Sequence, residues 1–362
     1  MPASNLLPTP VVTPVVVPKK KKFEGTLGAD TLKGGATHDK MEGDAGNDWL
    51  YGASGDDDLE GDEGNDNLFG GVGNDKLDGD AGNDTLDAGA GDDELDGGEG
   101  NDMMLGGAGI DDLSGGNGND TMYAGSGDDK MLAGSGDDVM YGEAGVDKMI
   151  GGAGADKMYG GAGIDKLLGD WGNDILDGGA DADKLFGGGN DDTLFGGAGA
   201  DDLFGDDGAD QLNGGAGDDM LFGELGSDIL NGDAGMDMLF GDVGADFLFG
   251  GADADLLFGG DGVDRLNGGS GADKLVGGLG ADVFLFSKGA GADRIGDFTA
   301  LEGDRISIDD ALWNGNLSAG QVVAKFGKVV GDNLVLTFAN GDSLKVEGYT
   351  DLSHLGQYID II

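Results

Sequence analysis

The chain contains no cysteine, and its five prolines (Pro2, Pro8, Pro10, Pro14 and Pro18) all fall near its start. No disulfide can staple it, and beyond Pro18 every residue keeps a backbone N–H for pairing. Basic residues are scarce: 20 Lys and Arg stand against 72 Asp and Glu, a formal net charge of −52. A chain so acidic repels polyanions, which excludes nucleic acid as a partner. No apolar run is long enough to cross a membrane. No charged leader runs into an apolar stretch of the Sec signal type. Histidine occurs twice, at His38 and His354, without zinc-site spacing. H-E-x-x-H, G-x-S-x-G and a glycine loop ending in G-K-[ST] are all missing. Metalloprotease, serine-hydrolase and P-loop chemistries are therefore not expected.

What is present is a nine-residue period that runs from Gly25 to Leu285 without insertion or deletion, 261 residues in 29 copies. The sixth position is Asp in all 29 copies, and the eighth is a large apolar residue in all 29 (Leu32, Met41, Leu50, Met104, Leu257 and Phe284 among them). The first is Gly except at Ala88, Ala124 and Ala133. The fourth is Gly in 25 copies, the exceptions being Thr37, Asp181, Asn190 and Asp253. Glycines at the first, second and fourth places allow a turn with φ > 0 whose carbonyls converge. An apolar eighth residue flanked by outward seventh and ninth residues is the period-2 signature of a short strand. One copy cannot bury its apolar residue alone, whereas stacked copies build a one-dimensional core.

Gly70-Gly71-Val72-Gly73-Asn74-Asp75-Lys76-Leu77-Asp78 and Gly196-Gly197-Ala198-Gly199-Ala200-Asp201-Asp202-Leu203-Phe204 fit the pattern G-G-x-G-x-D-x-U-x at every fixed place. The array thereby resembles the RTX, or hemolysin-type, calcium-binding nonapeptide family. The resemblance implies an all-β fold, a right-handed parallel β-roll. Each copy would supply a six-residue turn and a short strand, and two copies would complete one coil. At about 4.7–4.8 Å per coil the rod would be roughly 70 Å long.

Turns two copies apart then share an edge, and metal sites are expected between them. One column would run Asp30, Asp48, Asp66, Asp84, Asp102, Asp120, Asp138, Asp156, Asp174, Asp192, Asp210, Asp228, Asp246, Asp264 and Asp282. The other would run Asp39, Asp57, Asp75, Asp93, Asp111, Asp129, Asp147, Asp165, Asp183, Asp201, Asp219, Asp237, Asp255 and Asp273. Carboxylates and turn carbonyls without Cys or His suit a hard cation, and flexible geometry favours Ca²⁺ over Mg²⁺. Twenty-nine copies give at most about 27 such pairs. Sixty acids and ten basic residues lie inside the array, so that many divalent ions would bring it near neutrality. Without metal the stacked acids repel and the glycine-rich chain favours disorder, so metal binding and folding should be one event.

The ends read differently. Residues 1–24 are expected to be a Pro/Val-rich tail closing on Lys19 to Lys22, a solvated cluster that could lie against the acidic rod. Residues 286–362 are expected to form a small β-rich cap. Within it, Asp293-Arg294-Ile295-Gly296-Asp297-Phe298 resembles the D-x-I-x-D-F element that follows RTX arrays. Asn333 to Phe338 and Ser343 to Val346 read as strands, with Asn340-Gly341 a hairpin signal. The ending Tyr358-Ile359-Asp360-Ile361-Ile362 resembles the uncleaved export signal of type I secretion substrates, although Ile361 and Ile362 would equally finish a cap strand. The resemblance thus implies a secreted, extracellular protein handled by type I secretion machinery and folded by external calcium.

With 261 residues in repeats there is no room for an ordinary catalytic domain, and the chain is expected not to be an enzyme. Met220, Phe222, Met238, Phe240, Leu256 and Phe258 should share one outward face as an exposed apolar patch, a place for self-association or surface contact. The reading is a calcium-folded rod of surface, matrix or host-interaction type. The alternative is a self-assembling adhesive or surface-layer-like protein.

Overall fold

A computed structural model describes residues 21–313 and 315–362. The tail expected over 1–24 therefore lies outside the described residues, except for its last four. Those four belong to the roll: Lys21–Thr26 is a strand in parallel register with Asp39–Asp44. Lys22 reaches Glu42 on the next coil (2.9 Å), so this part of the lysine cluster does lie against the acidic rod.

From there the chain winds as a parallel β-solenoid. Each strand pairs with the one 18 residues on, as in Met104↔Met122 and Leu113↔Met131. Two sheets result. Sheet I carries the strands at Asp39–Asp44, Asp58–Glu60, Lys76–Asp78 and every second copy thereafter. Sheet II carries those at Thr31–Lys33, Trp49–Ser54, Asn67–Val72 and their successors. Most strands are longer than the repeat suggested. Met103–Ala108 spans the seventh position of one copy to the third of the next, which leaves only positions four to six as turn. The second-position glycine makes this possible: Gly107, at φ 107°, bends the strand while its neighbours go on pairing.

The interior is narrow. Every eighth-position side chain from Met41 to Phe284 is at most 2% exposed, and the two ladders face each other across the roll. Leu32, on the first full coil, is only half-buried because no described coil covers it from below. Each coil contributes two large apolar side chains, a thin core for 18 residues of backbone.

On sheet I, Phe186, Phe204, Phe222, Phe240 and Phe258 stack at centroid distances of 4.8–5.0 Å with ring planes within 4°. Lys166 and Lys274 lie over the two end rings. The patch expected at Met220, Phe222, Met238, Phe240, Leu256 and Phe258 is thus contiguous, but all six side chains are half-buried rather than exposed. Each ring covers the faces of its neighbours, as cross-strand aromatic pairs do.

The cap extends both sheets. Sheet I passes from Lys274–Gly280 to Ala292–Ile295 and on to Ser343–Val346. Ser343–Val346 pairs antiparallel with Asn333–Thr337, which pairs in turn with Gly327–Val330. Sheet II passes from Val283–Phe286 to Arg305–Ile308 and Ile359–Ile361. A helix at Ala319–Phe326 starts where the Gln321 side chain accepts from the Ser318 N–H. Phe286, Phe326 and Phe338 form the cap's aromatic centre, with Phe326 and Phe338 5.0 Å apart. Among the described residues no helix is long and apolar enough to cross a membrane.

Candidate metal centre

All 29 repeat aspartates fall into the two columns expected, one along each turn edge. From Asp39 to Asp282 each is at most 3% exposed; Asp30, on the open end, is half-buried. The facing pairs touch directly. The Asp30 N–H donates to Asp48 Oδ1 (2.7 Å), the Asp39 N–H to Asp57 Oδ1 (2.6 Å), and the pattern continues to Asp264 and Asp282 (3.0 Å). One carboxylate oxygen of each residue is thereby spent on fixing the turn.

The other oxygen has no donor. Oδ2 of every column residue from Asp48 to Asp282 is buried without a hydrogen-bond partner, as is Oδ1 of Asp39. Buried carboxylate oxygens without partners are costly, and structures satisfy nearly all such groups. Two unbroken rows of them constitute an oxygen-rich donor set of the kind that suits a cation. Main-chain oxygens crowd the same turns. The Gly46 carbonyl oxygen sits 1.4 Å from where a Cβ on Gly64 would be, and the Gly64 oxygen 1.4 Å from a Cβ on Gly82. Only glycine leaves room for that carbonyl. First-position glycines clear the carboxylate: a Cβ on Gly61 would lie 2.7 Å from Asp66 Oδ2. The residues present therefore fit a hard divalent cation of the calcium type.

From Asp48 to Asp282, burial raises the carboxyl pKa values, with like charge on neighbouring coils adding to the effect and the backbone N–H bond opposing it. Asp84 and Asp147 stand at about 7, and Asp192 at about 8. Three of the four fourth-position exceptions settle into left-handed backbone instead: Asp181, Asn190 and Asp253 have φ of 79°, 84° and 77°, whereas Thr37 does not. Asp and Asn tolerate that region better than other side chains.

A second ladder was not anticipated from sequence. Fifth-position Asn and Asp side chains accept from the fifth-position N–H one coil on, as Asn65 Oδ1 does from Asn83 N–H (3.1 Å) and Asn83 Oδ1 from Asn101 N–H (2.8 Å). The signal was the recurrence of Asn or Asp just before the sixth-position Asp. On sheet I, Glu60, Asp62 and Asp80 also bring carboxylate oxygens within 4.8 Å of one another.

His354 is held by its own neighbours on a short helix. His354 Nδ1 lies 2.6 Å from Asp351 Oδ2 and 3.0 Å from Ser353 Oγ. Asp351 caps the short helix at Leu352–Leu355, its side chain accepting from the Ser353 and His354 N–H groups. Serine and aspartate meet the same ring nitrogen, so no Ser–His–Asp relay exists.

Comparison with known protein families decides the identity of the array. The model for the RTX calcium-binding nonapeptide repeat (4 copies) matches from residues 24–59 through 258–295 in overlapping segments. The chain belongs to this RTX repeat family. A comparison with curated proteins gave no match. Among solved structures, an extracellular lipase, LipA from Serratia marcescens, matches at 19% identity and a TM-score of 0.23. That match covers 50% of this chain and 40% of the lipase.

The RTX columns do not stop with the last repeat. The Asp273 N–H donates to Asp293 Oδ1 (3.2 Å), and the Asp282 N–H donates to Asp304 Oδ1 (3.1 Å). Both cap aspartates are 3% exposed. Each opens the triplet Asp-Arg-Ile, the Asp-x-apolar core of a repeat, but stands 20 or 22 residues beyond its partner rather than 18. That break of period is why they escaped the repeat count. Replacing Asp293 and Asp304 together with Asn should raise the calcium concentration at which cap amides become protected from hydrogen exchange, while mid-roll amides keep theirs. An equal shift at both places would show that the cap aspartates have no local role.

Proposed function

We propose that this RTX protein is a secreted, non-catalytic rod whose aspartate columns hold calcium between successive turns, so that the chain folds where calcium is abundant. The observation that carries the reading is the pair of buried carboxylate rows, each residue from Asp48 to Asp282 with one oxygen unpartnered. All 29 expected aspartates, Asp30 to Asp282, are assigned as ligands, with two further candidates at Asp293 and Asp304. Calcium would supply positive charge and oxygen coordination at each turn. The protein supplies the register that sets the carboxylates one above another, and the glycines that let carbonyls approach.

Family membership and the acidic-then-apolar ending, here a strand at Ile359–Ile361, support export by type I machinery as part of this reading. The working role is as a surface, matrix or host-interaction element. A second reading, calcium-dependent self-assembly, is favoured by the long flat faces of the roll.

Calcium titration of metal-free protein tests the main reading, with far-UV circular dichroism as the readout. A cooperative gain of β-structure is expected, with Mg²⁺ failing to substitute because it needs tighter octahedral geometry. A chain already folded in chelator at neutral pH would overturn the coupling.

A further inference from the structure

Two flat faces run the length of the roll, and they differ in charge. On sheet I, 15 of the 28 outward residues at the seventh and ninth positions are charged. On sheet II only 5 of 30 are: Lys33, Asp87, Lys157, Asp177 and Arg265, nearly balanced in sign. In a chain of net charge −52, sheet II is the broad surface on which two copies can approach without strong repulsion.

At the seventh and ninth positions, exposed apolar side chains concentrate on the same face, against Leu132 alone on sheet I. Trp49 is 44% exposed, Met103 47%, Phe195 41%, Ile229 45%, Phe247 40% and Phe249 37%. Their exposure has a structural cause. Phe195 stands between Asp177 and Asn213 on the flanking strands, and Phe249 between Asn231 and Asn267. No neighbouring ring covers them, unlike the phenylalanines of sheet I. Where rings do adjoin on sheet II, as in Tyr123, Tyr141 and Tyr159, they stack face to face. Ring edges then point outward, which suits flat packing against a protein face better than stacking on a sugar.

We propose that sheet II is the surface through which two copies of this chain pair face to face, antiparallel, about a twofold axis. The axis would lie across the roll between Lys157–Ala162 and Ile175–Ala180. Fifteen strands at about 4.8 Å and three residues of width at about 3.3 Å give a face of roughly 700 Å² per copy. That lies within the range of about 600–1,000 Å² per partner found in specific interfaces. The charges near the axis complement themselves. Lys157 lies beside Ile175, and Asp177 beside Tyr159. Neither charge has an ion-pair partner among the described residues of its own copy. The twofold sets Lys157 of each copy over the strand that carries Asp177 of the other, which makes two ion pairs.

This inference rests on the calcium-folded roll, so both are measured together. Sedimentation over a range of protein concentrations in millimolar calcium reads mass, and circular dichroism of the same samples reads folding. The expected result is a folded chain that reaches twice 36.2 kDa and grows no further. Lys157→Asp and Asp177→Lys should each weaken pairing about tenfold, and the two together should restore it. Phe222→Ser with Phe240→Ser, on sheet I, should leave the dimer intact. A folded chain at single mass throughout, open-ended growth, or a dimer lost through the sheet I changes but not through either charge reversal would overturn the proposal. Failure to fold in calcium would instead strike the calcium reading first.

Discussion

In chelator, lowering the pH from 8 to about 4 should raise the β-structure of the metal-free chain, so that protons partly replace calcium. The argument lies in the two aspartate columns. Burial, aided by like charge on adjacent coils, lifts Asp84, Asp138 and Asp147 from 3.8 to about 7, and Asp192 to about 8. In the unfolded chain these groups return to ordinary values. Between the two limits the folded state holds more protons than the unfolded one. Metal-free stability therefore falls as pH rises through this window and grows as pH falls. With calcium present the sign reverses, because the metal must displace protons from the same oxygens, so the calcium midpoint should climb on acidification. Circular dichroism against pH, with and without calcium, checks both arms. A metal-free chain equally unstructured at pH 4 and pH 8 would mean that the carboxylate columns are not what holds it open.

Gly82→Val should break the rod in two, whereas Gly28→Val should leave it nearly unchanged, although both residues occupy the fourth place of the repeat. A Cβ on Gly82 would meet the Gly64 carbonyl oxygen at 1.4 Å, and its φ is +154°. A Cβ on Gly28 meets nothing within 4 Å, because no described coil underlies that turn. The natural exceptions show what relief requires: Asp181, Asn190 and Asp253 move to φ of 77–84°. A β-branched valine cannot follow them there. Calcium titration should find the Gly82→Val midpoint raised several-fold with a shallower transition, since coils on either side no longer support each other. Equal damage from both substitutions would show that the turn needs glycine for its conformation rather than for clearance.

Most of this fold was legible because its period is strict. The 18-residue register, the buried eighth position and the pairing of Asp30 with Asp48 all follow once two copies make a coil. What was hidden had lost the period or depended on neighbours. Asp293 and Asp304 keep the Asp-x-apolar triplet but sit at offsets of 20 and 22. Lys21 and Lys22 read as a solvated tail, yet a β-ladder needs only their backbone. Sequence identified the phenylalanine column of sheet I and left open whether it is a contact patch or a cross-strand stack; the stacked rings shield one another. Exposure therefore shifted to sheet II, where Asp177, Asn213, Asn231 and Asn267 interrupt the aromatics.

The half-coil repeat gives the rod a parity. One copy is half a revolution, so the two edges and the two faces alternate along the chain. Removing 18 residues would shorten the rod by one storey and leave every remaining residue on its own face. Removing nine would carry everything before the cut to the opposite face, so that the phenylalanine column, if it precedes the cut, would run along sheet II. The edges would also change partners, and the column now closed by Asp293 would meet Asp304 instead. A rod built this way tolerates changes of length in whole revolutions, and its two ends record whether the count of copies is odd or even.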